Sequence, residues 1–362
     1  MHIIMRHLYK ITFLCVLSCL ALPGWTQDAL RDGLTVYTTD WDENSPDLGY
    51  YIYKWTYQAS DQTWKFDMNM LATPLIAGQD YTGAVYDMGM DMFRISGQTE
   101  LRAILTVSMG DGHFPSLGTE FQHRKLNANG EWELVQPPLF TTPANISPIG
   151  VTAYYEGNDL HIAWTEDNDE AGPTSLMGEI YDQVFTVNAD GTLTAKGSKT
   201  LVLSRKLNWG GTRGGPGGLA GLTVCDYTGD GQLDFIVGQM FYGDSPAGAS
   251  IQLIERLSAG KWSDTLQELW YGQPGHGAEA VHYCDIDGDA NLDLAITSGS
   301  ALPWSSVVHF EKEGNQLVEK NIVIDCAAEI EFWEPELSVG HIFGLYVDSP
   351  EPTEIVDWEI MN

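Results

Sequence analysis

The chain has 362 residues, of which 43% are hydrophobic and 11% aromatic, so its composition predicts a packed fold and argues against a disordered chain. Its formal net charge of −32 at pH 7 would repel phosphate groups, which argues against nucleic acid and anionic membrane surfaces as partners. The same excess of carboxylates is compatible with a protein that binds cations.

The N-terminal segment is typical of an export signal. A basic start is followed by the apolar run Ile11–Leu22 and by the helix breakers Pro23-Gly24. This run is shorter than the ~20 residues needed to span a bilayer. We therefore expect residues 1–26 to be removed and residues 27–362 to form one secreted, periplasmic or cell-surface domain without an integral membrane segment. Cleavage before Cys19, as in a bacterial lipoprotein, is the alternative.

Short β-rich segments joined by tight turns recur along the rest of the chain. One set pairs strands around a turn, namely Met90–Ile95 with Leu101–Val107, Gly150–Tyr155 with Leu160–Trp164, the segments flanking Asp226–Asp234 and Asp285–Asp293, and Gly344–Asp348 with Glu354–Trp358. A second set of hairpins lies between them, namely Tyr51–Tyr57 with Trp64–Met68, Phe121–Leu126 with Trp132–Val135, Val184–Val187 with Leu193–Ala195, Ile251–Leu257 with the segment from Trp262, and Val307–Phe310 with the segment from Leu317. Asn, Asp and Gly supply the positive φ angles that such turns need.

An inner strand pair followed by an outer hairpin is the unit of a β-propeller blade. Five outer hairpins predict an all-β propeller with five four-stranded antiparallel blades. The first unit has too few strands, and the C-terminal segment Phe343–Trp358 can complete it and close the ring. Six blades with a degenerate first blade, or two packed sheets, are the alternatives.

The loop from Asp285 to Asp293 has the spacing of a calcium site. Asp285, Asp287, Asp289, the carbonyl of Asn291 and Asp293 occupy positions one, three, five, seven and nine. Ca²⁺ takes six to eight oxygen ligands, and this alternation in a tight loop turns successive oxygens inward. Because so many clustered carboxylates would repel one another, we expect a bound cation here.

The equivalent loop from Asp226 to Asp234 predicts a second, less complete site. Asp226, Asp230 and Asp234 hold positions one, five and nine, and Gln232 offers its carbonyl at position seven. Thr228 replaces the carboxylate at position three and can ligate only through its hydroxyl. Neither loop is an EF-hand, because strands flank both loops and no Glu stands at position twelve.

These two segments resemble the FG-GAP repeats of integrin α-subunits and the VCBS repeats of exported bacterial proteins. The resemblance is clearest at residues 219–240 and 278–299, where acidic loops precede apolar strands; Thr228 and Ala290 depart from the repeat signature. It implies a propeller with structural calcium between the first two strands of a blade. It implies no single function, because such repeats occur in adhesion, lectin-like and lyase proteins.

If the calcium hairpins mark one face of the propeller, the connections between blades lie on the other face. That face is rich in aromatic and hydrogen-bonding side chains, which suit sugar rings. The candidate ligand-binding residues are Trp209, Arg213, Tyr242, His276 and His341. Arg213 fits either an ion pair with a structural acid or recognition of a uronate or sulfate.

The segment His276–His282 invites an acid–base interpretation. His276, Glu279 and Arg213 are the candidate catalytic residues, although no pattern specific to a reaction surrounds them. Zinc is disfavoured, because a spacing of three on a strand places His276 and Glu279 on opposite faces. Cys225 and Cys284 precede the acidic loops at equivalent positions and are expected to be buried thiols.

These observations favour an exported calcium-binding propeller that acts as a binding module for glycans or for an extracellular protein. The alternative is a polysaccharide-degrading enzyme, a lyase or glycosidase, with its site in the propeller funnel. A structural role at the cell surface is a third possibility. No cofactor other than calcium is predicted.

Overall fold

The computed structural model describes residues 30, 33–41, 51–70, 89–109, 118–144, 146–168, 177–206, 217–241, 248–274, 278–287, 289, 291–297, 306–326 and 341–348. The predicted export signal and Glu354–Trp358 lie outside these residues. Among the described residues, no helix is long and apolar enough to cross a bilayer.

The strands are grouped into five antiparallel sheets, which are the blades, and blade numbers follow the chain. Blade 1 consists of Thr35–Trp41 (β1), Tyr51–Gln58 (β2), Thr63–Met70 (β3) and His341–Asp348 (β25). Blade 2 consists of Met90–Arg94 (β4), Leu101–Met109 (β5), Gly118–Leu126 (β6), Trp132–Leu134 (β7) and Phe140–Thr141 (β8). Blade 3 consists of Ile146–Ser147 (β9), Val151–Glu156 (β10), Asp159–Asn168 (β11), Met177–Val187 (β12), Leu193–Ala195 (β13) and Thr200–Lys206 (β14).

The last two blades contain the acidic loops. Blade 4 consists of Gly217–Cys225 (β15), Asp234–Phe241 (β16), Gly248–Ile254 (β17) and Gln267–Pro274 (β20), with the small hairpin Arg256–Ser258 (β18) and Lys261–Trp262 (β19) beside it. Blade 5 consists of Val281–Cys284 (β21), Asp293–Thr297 (β22), Ser306–Glu313 (β23) and Gln316–Asp325 (β24).

The innermost strands form a closed circuit. Strand β25 packs against β4, β4 against β10, β10 against β15, β15 against β21, and β21 against β25. The circuit closes because C-terminal β25 pairs antiparallel with β1, from Thr35 opposite Asp348 to Trp41 opposite His341. The prediction of five blades is therefore confirmed, with residues 343–348 of the predicted closing segment completing blade 1, and six blades and a two-sheet sandwich are excluded.

The outer hairpin predicted in blade 4 was partly wrong. Strand β17 pairs with β20 and not with the segment around Trp262, which instead belongs to the separate β18–β19 hairpin. The blade ladder is interrupted at Arg256, whose N–H donates to the carboxylate of Asp234 at 2.9 Å. A backbone donor committed to a loop carboxylate cannot also continue the strand ladder.

The hydrophobic core lies between blades rather than within one centre. Five clusters of buried residues fill the five interfaces between neighbouring blades. Fully buried aromatic rings anchor them, including Trp55 between blades 5 and 1, Trp164 between blades 2 and 3, and Phe310 between blades 4 and 5. Burying one such side chain stabilises a fold by roughly 1.5–3 kcal/mol, so each interface depends on residues from two blades.

A threonine on the second strand of three blades ties the inner strands together. The hydroxyls of Thr106, Thr165 and Thr297 each accept an inner-strand N–H, from Gly89, Gly150 and Ala280, at 2.9 Å. Two of these hydroxyls also reach the next blade, Thr165 to the carbonyl of Ala220 at 3.2 Å and Thr297 to that of Ile342 at 3.0 Å. We call these three residues the threonine clasps.

The clasps require small residues at the start of the inner strands. A Cβ added to Gly150 would lie 1.9 Å from the carbonyl oxygen of Ala220, and one added to Gly89 would lie 1.9 Å from that of Ile149. Neighbouring inner strands therefore approach one another more closely than a side chain permits.

Candidate calcium loops and axial cluster

The second acidic loop joins β21 to β22 at one end of blade 5. Cys284 and Asp293 are paired at the end of the hairpin ladder, so the loop begins and ends at the strands. One carboxylate oxygen from each of Asp285, Asp287, Asp289 and Asp293 lies within 4.8 Å of the others. In the part of the chain that the structure describes, this is the one such convergence of three or more His, Cys, Asp or Glu side chains. The four predicted carboxylate ligands are thus brought together.

The carboxylates of this cluster repel one another when they are ionised. Asp285 and Asp293 are buried and Asp287 is half-buried. Desolvation by burial raises the pKa of Asp287 and of Asp293 above the usual range of a carboxyl group. Two ionised carboxylates at the 4.8 Å limit of the cluster repel by about 3 kcal/mol at an effective dielectric constant of 20. A divalent cation would offset both effects, and carboxylate oxygens are the ligands that Ca²⁺ prefers.

The base of the second loop is held by groups that sequence reasoning missed. His309 of β23 places its Nε2 atom 3.3 Å from Oδ1 of Asp293, and both side chains are buried. The N–H of Ile286 donates to Oδ2 of Asp293 at 2.9 Å. His309 lies opposite Ala295 in the blade ladder, so no local spacing relates it to the acidic loop.

The carboxylates of the first loop, between β15 and β16, accept N–H groups of the loop itself. The Asp226 carboxylate accepts the N–H groups of Gly229, Asp230 and Gly231 at 2.8, 3.1 and 2.9 Å. Asp230 accepts the N–H of Gln232 at 2.9 Å, and this bond lowers the pKa of Asp230 below its usual range. The loop thus supplies its own hydrogen-bond donors to the oxygens predicted to bind a cation.

The carboxylate of Asp234, the last aspartate of the first loop, also accepts hydrogen bonds. Asp234 is buried and accepts the N–H groups of Thr228 at 3.0 Å and of Arg256 at 2.9 Å. Within the described residues, Asp226, Asp230 and Asp234 do not converge as the aspartates of the second loop do. The two loops therefore occupy equivalent places in neighbouring blades, but among the described residues only the aspartates of the second loop converge.

Cys225 and Cys284, which precede the two loops, are buried free thiols, as predicted. Burial raises the pKa of both thiols well above the usual range. Neither thiol therefore supplies a thiolate that would ligate a metal or attack a substrate at neutral pH.

One residue from each inner strand lies at the same level around the propeller axis. Each of these residues stands two positions after a glycine or alanine of its blade, and the five are Asp91, Thr152, Thr223, His282 and Tyr346. We call them the axial cluster. Nδ1 of His282 lies 3.7 Å from Oδ1 of Asp91, although their strands are separated by blade 1 in the ring. The centroids of the His282 and Tyr346 rings are 4.6 Å apart.

Asp91 is the carboxyl group of the axial cluster, and its side chain is buried. Its carboxylate accepts the N–H of Met92 at 2.8 Å, the hydroxyl of Thr152 at 3.0 Å and the N–H of Ala153 at 2.7 Å. Desolvation by burial outweighs these bonds and raises its pKa to about 7. Burial also lowers the pKa of His282 to about 3, so the imidazole is neutral and gives the carboxylate no opposing charge.

The predicted funnel residues are mostly not placed by the structure. Trp209, Arg213, Tyr242 and His276 lie outside the described residues. His341 begins β25, but its side chain is outside the described part of the structure. Glu279 precedes β21 and its side chain is fully buried. These residues stay predictions, and the axial cluster is the polar site that the structure adds to them.

Sequence reasoning missed the axial cluster because its members are chemically different. The available signal was positional: each member stands two residues after Gly89, Gly150, Gly221, Ala280 or Gly344. Only the strand register shows that these positions are equivalent.

No family model and no curated protein sequence matches the chain. Comparison with solved structures finds proteins of similar fold at low sequence identity. An exo-1,5-α-L-arabinanase from a bovine ruminal metagenomic library has 10% identity and a TM-score of 0.48, covering 82% of this chain and 99% of that one. A GH32 β-fructofuranosidase from Bombyx mori has 10% identity and a TM-score of 0.46, covering 84% and 67%. An α-L-arabinofuranosidase from Lactobacillus brevis has 9% identity and a TM-score of 0.45, covering 82% and 94%. At this sequence identity and these TM-scores, neither the activity nor the site of those proteins is assigned to this chain.

Proposed function

We propose that this chain is an exported, calcium-stabilised β-propeller. The observation that carries the proposal is the convergence of four carboxylates, from Asp285, Asp287, Asp289 and Asp293, within 4.8 Å of one another. Asp285 and Asp293 are buried, so solvent screens their repulsion less than it would at an open surface turn. The predicted export signal and the resemblance to calcium-binding repeats are consistent with an extracellular calcium supply.

Calcium in this loop would act as a structural clamp. The loop joins the first two strands of blade 5, so an ion held by its carboxylates would fix β21 against β22. Extracellular calcium modules bind with Kd values of ~10⁻⁴ to 10⁻³ M. At ten times Kd, one site adds roughly 1.4 kcal/mol to the free energy of unfolding.

This proposal is tested by melting the protein in calcium and in EDTA. We expect EDTA to lower the Tm by roughly 2–4 °C, which is the shift expected for about 1 kcal/mol in a large domain. Asp287→Asn removes one converging carboxylate and should make the Tm insensitive to EDTA. Magnesium at the same ionic strength controls for general screening of the negative charge. An unchanged Tm in EDTA would contradict the proposal that calcium stabilises this fold.

We further propose that the funnel end of the axis is a carbohydrate site where a polysaccharide is cleaved. Support comes from Asp91, a carboxyl group with a pKa of about 7 beside the neutral His282. Cleavage of a glycosidic bond uses a carboxylic acid that keeps its proton near neutral pH. The predicted sugar contacts Trp209, Tyr242 and His276 lie outside the described residues and stay predictions. A glycan-binding module without turnover is the alternative.

A panel of neutral and acidic polysaccharides distinguishes these roles. Reducing ends and the ultraviolet absorbance of unsaturated sugar ends are followed with the calcium-loaded protein. Turnover that is lost in Asp91→Asn but kept in Asp182→Asn would support an enzyme that uses the axial cluster. Asp182 is a matched control, because it is also hydrogen-bonded and its partners are Tyr154 and His161. Retention of one glycan without turnover would instead support a binding module. If the protein shows no turnover and retains no glycan, a protein partner becomes the better explanation.

A further inference from the structure

The imidazole of His309 lies against one ligand of the proposed calcium loop. Its Nε2 atom is 3.3 Å from Oδ1 of Asp293, and both side chains are only 1% exposed. The other oxygen of this carboxylate, Oδ2, accepts the N–H of Ile286 at 2.9 Å. The two oxygens of Asp293 are therefore contacted from two different elements, the acidic loop itself and strand β23.

Oδ1 of Asp293 keeps a free lone pair. Among the described residues it accepts no aligned hydrogen bond, so its 3.3 Å contact with His309 is an electrostatic one. A buried carboxylate oxygen is costly to ionise unless a donor or a cation approaches it. Asp293 can therefore ligate an ion through this oxygen while Ile286 and His309 limit the rotation of its carboxylate.

His309 is a neighbour of the ligand cluster and not a member of it. One oxygen from each of the four aspartates lies within 4.8 Å of the others, and neither ring nitrogen of His309 belongs to this group. A nitrogen that contacts one ligand but is outside the convergent set lies behind that ligand. In metal sites, outer groups of this kind fix the orientation of the ligands.

The imidazole is itself held from its other side. Nδ1 of His309 lies 3.3 Å from the amide of Asn321, which stands directly opposite His309 in the β23–β24 ladder. An amide offers both a donor and an acceptor, so it can complement Nδ1 while an Nε2–H faces the carboxylate. The ring thus connects β22, β23 and β24 and has a partner at each nitrogen.

From these contacts we propose that His309 is a positioning residue of the calcium loop. Its imidazole orients the carboxylate of Asp293 toward the other three aspartates, and Asn321 orients the imidazole. The outer half of blade 5 thereby preorganises the loop, so the calcium affinity depends on β23 and β24 as well as on the loop. This inference rests on the proposed calcium function and names the residues that tune it.

Blade 4 shows which substitution suits this position. His309 stands opposite the third residue of β22, and Leu253 stands opposite the third residue of β16. Leu253 is therefore the equivalent of His309, and it is buried. Because a blade of this protein already accommodates leucine at this place, His309→Leu removes the imidazole and keeps an apolar side chain that fits the fold.

Melting the protein across a series of calcium concentrations tests the proposal. The Tm in EDTA reports the stability without the ion, and the calcium concentration at which the Tm rises reports the affinity. We expect His309→Leu to raise the Kd for calcium by roughly 10- to 100-fold. His309→Gln returns an N–H donor near the place of Nε2 and should restore most of the affinity. A purely structural histidine would change the Tm in EDTA and leave the Kd unchanged.

Two further variants accompany this series. His161→Leu is the matched control, because His161 also faces an aspartate, Asp182, at 2.9 Å but belongs to blade 3. It should leave the Kd unchanged. Asn321→Ala should raise the Kd by roughly three- to tenfold, because the imidazole then loses one of its two contacts.

The direction of the change separates the outcomes. A Kd for His309→Leu equal to that of the wild type would overturn the inference, and a lower Kd would show that the imidazole competes with the ion. In both cases the proposed calcium function stands. If the Tm of the wild type does not rise with calcium, the proposed function fails and this inference fails with it. If His309→Leu does not fold, an unchanged Kd in Asn321→Ala overturns the inference.

Discussion

At the axis of the ring, Asp91 accepts three hydrogen bonds, and no Lys or Arg among the described residues forms an ion pair with it. Three hydrogen bonds stabilise its ionised form, yet desolvation has the larger effect and its pKa is raised to about 7. His282 lies close enough to form an ion pair, but burial lowers its own pKa to about 3. Below about pH 7, the carboxyl group keeps its proton while the imidazole is neutral, so neither group carries a charge at the centre of this acidic protein.

This raised pKa makes stability depend on pH in a defined direction. Between the unfolded pKa of 3.8 and the folded pKa of about 7, the folded state binds the extra proton. The free energy of unfolding should therefore fall as pH rises through this window, by at most about 4 kcal/mol from this group. Urea unfolding of the wild type and Asp91→Asn across the window measures the effect. We expect a shallower slope in Asp91→Asn, and equal slopes would show that Asp91 is ionised in the fold.

At the scale of the strand, the threonine clasps explain how adjacent inner strands are held. Thr165 on β11 accepts the N–H of Gly150 and reaches the carbonyl of Ala220 in the next blade. This hydroxyl therefore links three strands from two blades. Thr106 and Thr297 occupy the same register in blades 2 and 5, whereas Gly238 stands at that register in blade 4. The blades are thus joined by repeated polar contacts as well as by their hydrophobic interfaces.

Removing one clasp should destabilise the protein without creating a cavity. Thr165→Val keeps the shape of the side chain but leaves the buried N–H of Gly150 without this acceptor, at a cost of about 1–3 kcal/mol. Thr165→Ser retains the hydroxyl and should lose less. Urea unfolding midpoints of the two variants and the wild type provide the comparison. A valine variant as stable as the serine variant would mean that the hydroxyl is not needed at this position.

At the scale of the whole molecule, the ring depends on a strand from the far end of the sequence. Strand β25 supplies the innermost strand of blade 1, and its buried residues Ile342, Leu345 and Val347 belong to the core between blades 5 and 1. Arg94 of blade 2 also forms a two-pronged ion pair with Asp348, with distances of 3.0 and 2.8 Å. The last strand therefore contacts both neighbours of its own blade.

Loss of this strand should affect more than one blade. A chain ending after residue 340 lacks β25 and exposes apolar surface on blades 1 and 5, so we expect it to lose cooperative thermal unfolding. A chain ending after Asp348 retains the strand and should unfold cooperatively. Thermal unfolding followed by circular dichroism and by tryptophan fluorescence distinguishes the two. A cooperative transition in the shorter chain would show that the remaining four blades and a three-stranded blade 1 are sufficient.

The sequence by itself determined the features that depend on local pattern. Alternating apolar residues, Asn and Gly turns and the repeated Asp spacing predicted the strand pairs, the five blades and the two acidic loops, because each depends on neighbours along the chain. The error in blade 4 concerned the partner of β17: the local turn forms the small β18–β19 hairpin, whereas β17 pairs with β20, which lies further along the chain. Tertiary structure alone decided the features that depend on register between blades. It showed that the four aspartates of the second loop converge, whereas those of the first loop do not among the described residues, and that Asp91 meets His282 at the axis. Burial and opposing charge act between residues far apart in sequence, so the local pattern contains no measure of them.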